Sequence, residues 1–306
     1  MAVRRGAKLG RWGLLIPLLA GCGASLATGG PCSQGVSRPL PPEVPESSGV
    51  AVSRVHDGVY WTHNDSGWEP ELFAVDEDGA RLATVQVDGA ENRDWEDLAI
   101  GPCDGQESCL YIADTGDNRL VRDTLVIYRV PEPPLEDGAE VAADSLPLVL
   151  PDGPRDIEAV FFLPGAPSDA GRPTEGSLHL VTKGRGGPIK QYRYEGPFRA
   201  GETAEVEKVA RLSDRRPLLP RMVTGAAATS DGRRVAVRTY ESLHFFRPQA
   251  SGALPRDPLA TVNLKPLGEP QGEAVAFGPG DQMVLTSEAG PGGDRGVLTH
   301  LRCRPE

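Results

Sequence analysis

Asp94-Trp-Glu-Asp-Leu-Ala-Ile100 and Asp156-Ile-Glu-Ala-Val-Phe-Phe162 share one short pattern: a polar or acidic start, a small residue, then an apolar strand. The pattern recurs in Glu46-Ser-Ser-Gly-Val-Ala-Val52, Met222-Val-Thr-Gly-Ala-Ala-Ala228 and Gln271-Gly-Glu-Ala-Val-Ala-Phe277. Each copy is followed, after a turn, by a second strand: Val59–Asn64, Leu110–Thr115, Leu178–Lys183, Val235–Tyr240 and Met283–Glu288. A spacing of roughly 47 to 66 residues suits one four-stranded propeller blade per repeat. The sequence therefore predicts an all-β chain folded as a β-propeller of five four-stranded blades. Six blades remain an alternative, because two long gaps between motifs have room for one. A β-sandwich would accept the strands but leaves five similar openings unexplained.

Composition agrees with many short strands. The 37 Gly and 29 Pro among 306 residues leave no long uninterrupted window for a helical bundle. Asp-Gly pairs at 57, 78, 88, 104, 137, 152 and 231 are strong hairpin signals between apolar alternations. In blade one they predict strands near 49–53, 58–63, 71–76 and 81–87. Long loops are expected near 131–144 and 164–177. A net charge of −11 carries no basic excess to neutralise phosphates, which argues against nucleic-acid binding.

Blade five runs out of chain. It has strands near 273–277, 283–287 and 296–302, and its fourth must come from residues 34–40, ahead of blade one. That antiparallel strand would begin beside the end of the third, which places Cys32 next to Cys303. Cys103 and Cys109 flank a hairpin-like loop and pair locally, so the expected bridges are Cys32–Cys303 and Cys103–Cys109. No Cys-x-x-Cys is present to support a zinc or redox site.

Residues 1–21 read as an export signal: Arg4, Arg5, Lys8 and Arg11 precede an apolar run from Trp12 to Ala20, too short to span a bilayer. The ending Leu19-Ala20-Gly21-Cys22 resembles the bacterial lipobox. That resemblance implies cleavage before Cys22, acylation of Cys22, a tether over 22–33 and one propeller domain over 34–306. Loss of the four positive charges would take the net charge from −11 to −15. Gly23 follows Cys22 without the acidic residue that retains lipoproteins at the inner membrane, so the implied address is the outer membrane. Membrane contact would be through the lipid anchor alone, and the chain reads as a monomer.

Aligned by repeat, Ser48, Glu96, Glu158, Thr224 and Glu273 form one column around the channel. Two residues earlier stand Glu46, Asp94, Asp156, Met222 and Gln271. Like charges this close need a counter-charge, and a hard cation with oxygen ligands, Ca²⁺ foremost, would supply one. The candidate ligands are Glu96, Glu158, Glu273 and, from the oxygen-rich loop Asp114–Arg119, Asp114. Lys183 and Arg238 close the second-strand column, and pairing of these cations with the glutamates is the competing expectation. Asn64-Asp65-Ser66-Gly67 is a second oxygen-rich loop without a defined role. His63 stands at a strand end facing the channel.

Trp61–Gly67, Asp94–Ala99, Tyr111–Asn118, Asp156–Val160 and Gln271–Val275 resemble a family of uncharacterised bacterial propellers. That family is similar in turn to the esterase-like phytase and NHL-repeat groups. The resemblance implies the fold and calcium at the channel mouth. Two functions follow as expectations. One is an envelope propeller that binds a partner protein or a small anionic ligand. The other is a metal-dependent hydrolase of phosphoesters or lactones, with Asp94 or Asp156 as base and with Lys183 and Arg238 holding developing negative charge.

Overall fold

The computed structural model describes residues 30–103, 106–165, 176–219, 221–293 and 295–304. The export signal, Cys22 and most of the tether lie outside the described residues, as does most of the expected 164–177 loop.

Within them the chain forms five sheets arranged as a five-bladed propeller. The six-blade and sandwich alternatives fall away. Blade one comprises Ser47–Val52, Tyr60–Asn64, Glu71–Val75 and Arg81–Asp88, within about two residues of the expected bounds. Its turns close at Asp57-Gly58 and Asp78-Gly79, where glycine takes φ of 73° and 77°, the left-handed values that side chains resist. The inner strands of blades two to five are Trp95–Cys103, Ile157–Leu163, Val223–Ala228 and Gln271–Phe277. The described residues hold a single helical turn, Lys265–Leu267.

The ring closes as the strand count requires. Cys32–Pro39 pairs antiparallel with Val297–Cys303 as the outer strand of blade five, with Cys32 opposite Cys303. Both expected disulfides, Cys32–Cys303 and Cys103–Cys109, are formed.

Each blade is too thin to own a core. The apolar side chains instead gather into five clusters, one between each pair of neighbouring blades. Inner and second strands are therefore buried on both faces, and Tyr60–Asn64 is buried throughout. This explains why these strands read as apolar runs rather than as strict alternations. Two short strands were not legible in the sequence. Ala139–Ala142 adds in parallel to the outer edge of blade one, and Ala204–Glu205 to that of blade two. Each comes from the loop of the following blade, so it covers an exposed edge and ties neighbours together.

Candidate functional site

Every blade carries an irregularity at the same place. The pairing of inner and second strands skips between Ser47 and Gly49, Trp95 and Asp97, Ile157 and Ala159, Val223 and Gly225, and Gly272 and Val275. The residues left over are Ser48, Glu96, Glu158, Thr224 and, with Ala274, Glu273. A bulge frees one residue from the ladder and re-aims its side chain, so the column inferred from the repeat is a ring of bulges around the channel. All five column residues are buried.

Two members are structural. Ser48 Oγ donates to the Glu96 carbonyl at 2.7 Å, and Thr224 Oγ1 donates to the Glu273 carbonyl at 2.9 Å, each reaching the next blade. The three glutamates carry whatever chemistry the ring has.

Glu96 is the centre of the site. Its carboxylate oxygen lies within 4.8 Å of ligand oxygens in two sets, one with Asp65 and Asp94, the other with Asp156 and Glu158. Glu96 is 5% exposed, yet its carboxylate makes no hydrogen bond or ion pair to a described residue. Gly116 makes room for it: a Cβ there would collide with Glu96 Oε1 and with the Asp94 carboxylate. On the second set, Lys183 Nζ lies 2.6 Å from Glu158 Oε1. Asp156 accepts the Asp117 N–H at 2.8 Å and Arg185 Nε at 3.1 Å.

Three expected site residues are placed differently. Arg238 does not reach the glutamates. It lies fully buried between blades four and five, donating to the carbonyls of Ala274 (2.7 Å) and Thr286 (3.0 Å) and to Glu269. Asp114 is taken up by Arg122 at 3.0 Å and by the Asp94 N–H at 3.0 Å, so it braces the loop and belongs to neither set. Glu273 also stands outside both sets, sharing the Gln271 amide with Glu288. Asp65 is the ligand position the sequence reading left without a role. Its signal was the loop Asn64-Asp-Ser-Gly67.

Electrostatics follow from burial and crowding. Burial raises Glu96 well above the ordinary carboxylate range, and Glu158, Asp65 and Asp94 push it further. Glu158 is pushed up to about 8 by burial, with Lys183 opposing. Asp65 rises to about 6 and Glu288 to about 7, again chiefly by burial. Glu273 is raised by burial and then by Glu288 and Glu158. Burial would pull Lys183 down, but Glu158 and Glu96 outweigh it and keep the ammonium charged. Seven carboxylates thus meet Lys183 and Arg185, and they repel one another until a cation or protons intervene. Hard oxygen donors around an open, unpartnered carboxylate suit a divalent cation of the Ca²⁺ class.

Beneath the ring lies Asp97, at the position where the other repeats carry Gly49, Ala159, Gly225 and Ala274. It is fully buried and crosses the channel. Its carboxylate accepts the backbone N–H groups of Leu98 (2.8 Å), Val160 (2.8 Å) and Ala226 (3.1 Å), one from each of three blades. Burial raises it to about 8 despite these donors. Its outlying position in the repeat alignment was the signal available in the sequence. His63 is buried beside it, edge-on to Trp95, and is pushed down to about 4 by burial, so it stays neutral.

No protein-family model and no curated protein matches the chain. Solved structures similar to it include the PQQ-bound form of an aldose sugar dehydrogenase from Streptomyces coelicolor, 14% identical with a TM-score of 0.49. That match covers 88% of this chain and 98% of the other. A glucose dehydrogenase is 10% identical over 87% and 99% of the two chains, with a TM-score of 0.48. A gluconolactonase from Xanthomonas campestris is 14% identical over 93% and 92%, with a TM-score of 0.43. Likenesses this distant carry no argument about what this chain binds or does.

Proposed function

We propose that the channel mouth holds a divalent cation, Ca²⁺ foremost, and that the protein binds a small anionic ligand whose oxygens complete the cation's coordination. The observation that carries this reading is Glu96, a buried carboxylate without a partner that belongs to two sets of ligand oxygens at once. Asp65 and Asp94 would hold the cation from one side, and Asp156 and Glu158 from the other. Lys183 and Arg185 would receive the ligand's remaining negative charge. The lipobox-like ending at Cys22 supports an envelope address with a lipid anchor as part of the same proposal.

Calorimetry on protein beginning after Cys22 tests this. Wild type should bind Ca²⁺ saturably, and Glu96→Gln should lose that binding while keeping its fold by circular dichroism. Absence of binding of Ca²⁺, Mg²⁺ and Mn²⁺ at millimolar concentration would end the proposal.

One observation favours a second reading, metal-dependent hydrolysis. Glu288, linked through Gln271 to Glu273, is pushed up to about 7 by burial and is only partly buried, the condition of a general base at neutral pH. A bound cation would polarise the carbonyl or phosphoryl oxygen of a lactone or phosphoester. Glu288 would take a proton from water, and Lys183 Nζ would face the charge that develops. Asp156, with its oxygens occupied by Asp117 N–H and Arg185, is poorly placed for the base role expected of it. Ca²⁺-dependent turnover of simple lactones or phosphoesters, lost in Glu288→Gln with Ca²⁺ binding retained, is the expected result. No turnover with Ca²⁺ bound leaves the binding reading in place.

A further inference from the structure

The channel has a second end of opposite character. The inner strands run from the acidic mouth toward Val52, Ala228 and Phe277, and past these residues they open into a cavity of roughly 620 Å³. Small side chains keep it open, and Arg54, Arg233 and Arg234 stand at its rim. Arg233 has a loose, solvent-exposed pairing with Asp231 at 3.6 Å, and Arg54 donates to the Ile100 carbonyl at 3.2 Å. The Arg234 guanidinium has no ion-pair partner among the described residues. Asp97, bound to three blades, lies across the channel between this cavity and the carboxylate ring. The two ends therefore differ in chemistry. One is a cluster of carboxylates. The other is an apolar floor under a net positive rim on a protein of charge −11. A local positive patch on an acidic protein concentrates anions from solution, and the cavity wall is mixed, with Ser53, Thr229, Ser230 and Asp231 among the arginines and Val52, Ala228 and Phe277 as its apolar part.

We propose that this cavity is a second binding site, independent of the carboxylate ring, for an organic anion with an apolar body and a single acidic group. The body would rest on Val52, Ala228 and Phe277, and the acidic group would meet Arg54 and Arg234. A cation site has no use for these apolar residues, and the carboxylate mouth without its cation would repel such a ligand.

A matched pair of fluorescent probes tests it: 8-anilinonaphthalene-1-sulfonate, and N-phenyl-1-naphthylamine, which has the same rings without the sulfonate. The sulfonate should bind saturably at one site and more tightly than the neutral probe. Arg54→Ala and Arg234→Ala should each weaken it by up to about fivefold, the scale of an exposed ion pair, and leave the neutral probe unchanged. Ala228→Phe, which fills the floor, should weaken both probes. Glu96→Gln, at the other end, should change neither. Equal affinity for the two probes, indifference of the sulfonate to both arginine variants, or its displacement by Glu96→Gln would overturn the proposal. Because Glu96→Gln is the variant that tests the cation site, failure of one site is distinguishable from failure of the other.

Discussion

The bridge between Cys32 and Cys303 should contribute far more to stability than the bridge between Cys103 and Cys109, although both join neighbouring strands. The reason lies in the unfolded chain. The first bridge closes a loop of 271 residues and the second a loop of 6. Loop-closure entropy gives about 5.6 kcal/mol for the longer loop and about 2.2 kcal/mol for the shorter, a difference of about 3.4 kcal/mol at 25 °C. The long bridge also fastens the strand that completes blade five, so its loss lets Cys32–Pro39 detach from Val297–Cys303. The assay is urea unfolding of protein beginning after Cys22, comparing the Cys32→Ser/Cys303→Ser pair with the Cys103→Ser/Cys109→Ser pair. Equal losses in the two variants would refute the entropic reasoning. Peptide mapping that joined Cys32 to Cys103 would refute the closure itself.

Three further outcomes are expected. Gly116→Ala should weaken Ca²⁺ binding by at least about tenfold, since its Cβ collides with the Glu96 and Asp94 carboxylates; calorimetry reads this, and an unchanged affinity would place the cation elsewhere. Cation-free protein should lose stability as pH rises from about 4 to 8. Asp65 (about 6), Glu288 (about 7) and Glu158 (about 8) keep protons in the folded state that the unfolded chain has already released, so their contribution is full below the unfolded values and disappears as each folded group ionises. Saturating Ca²⁺ should flatten that fall in thermal melts across the range, and a rise in stability with pH would contradict the sign. Arg238→Met should cost about 3–5 kcal/mol in urea unfolding, because it strands the buried Glu269 carboxylate; Ca²⁺ affinity should be unaffected, and a lost affinity would return Arg238 to the site.

Much of the site's address was legible before its chemistry. Glu96 and Glu158 could be aligned because the repeat fixes where each inner strand starts, and Lys183 because it ends the paired strand. The bulge that turns these side chains inward has no sequence signature beyond the recurrence itself. Arg238 occupies a position aligned beside that of Lys183 and looked equivalent. It is not, because Gly272 leaves space for its guanidinium beside the next blade, and Glu269 arrives there from a loop. Asp114 was drawn away by Arg122, eight residues along the same loop, and Asp65 entered the site from a loop that carries no repeat pattern.

The sequence by itself favoured five blades while leaving six open, and it indicated the closure by the N-terminal strand and both cysteine pairings. These depend on period and on strand direction, which are properties of the chain order. Tertiary structure alone decided which carboxylates share a space, which are neutralised, and that the Asp97 carboxylate ties three blades together beneath the ring. Those depend on contacts between blades far apart in sequence, where a shift of a few ångströms separates an ion pair from an open carboxylate. The column of polar residues was written in the repeat, and its partners were chosen by the ring.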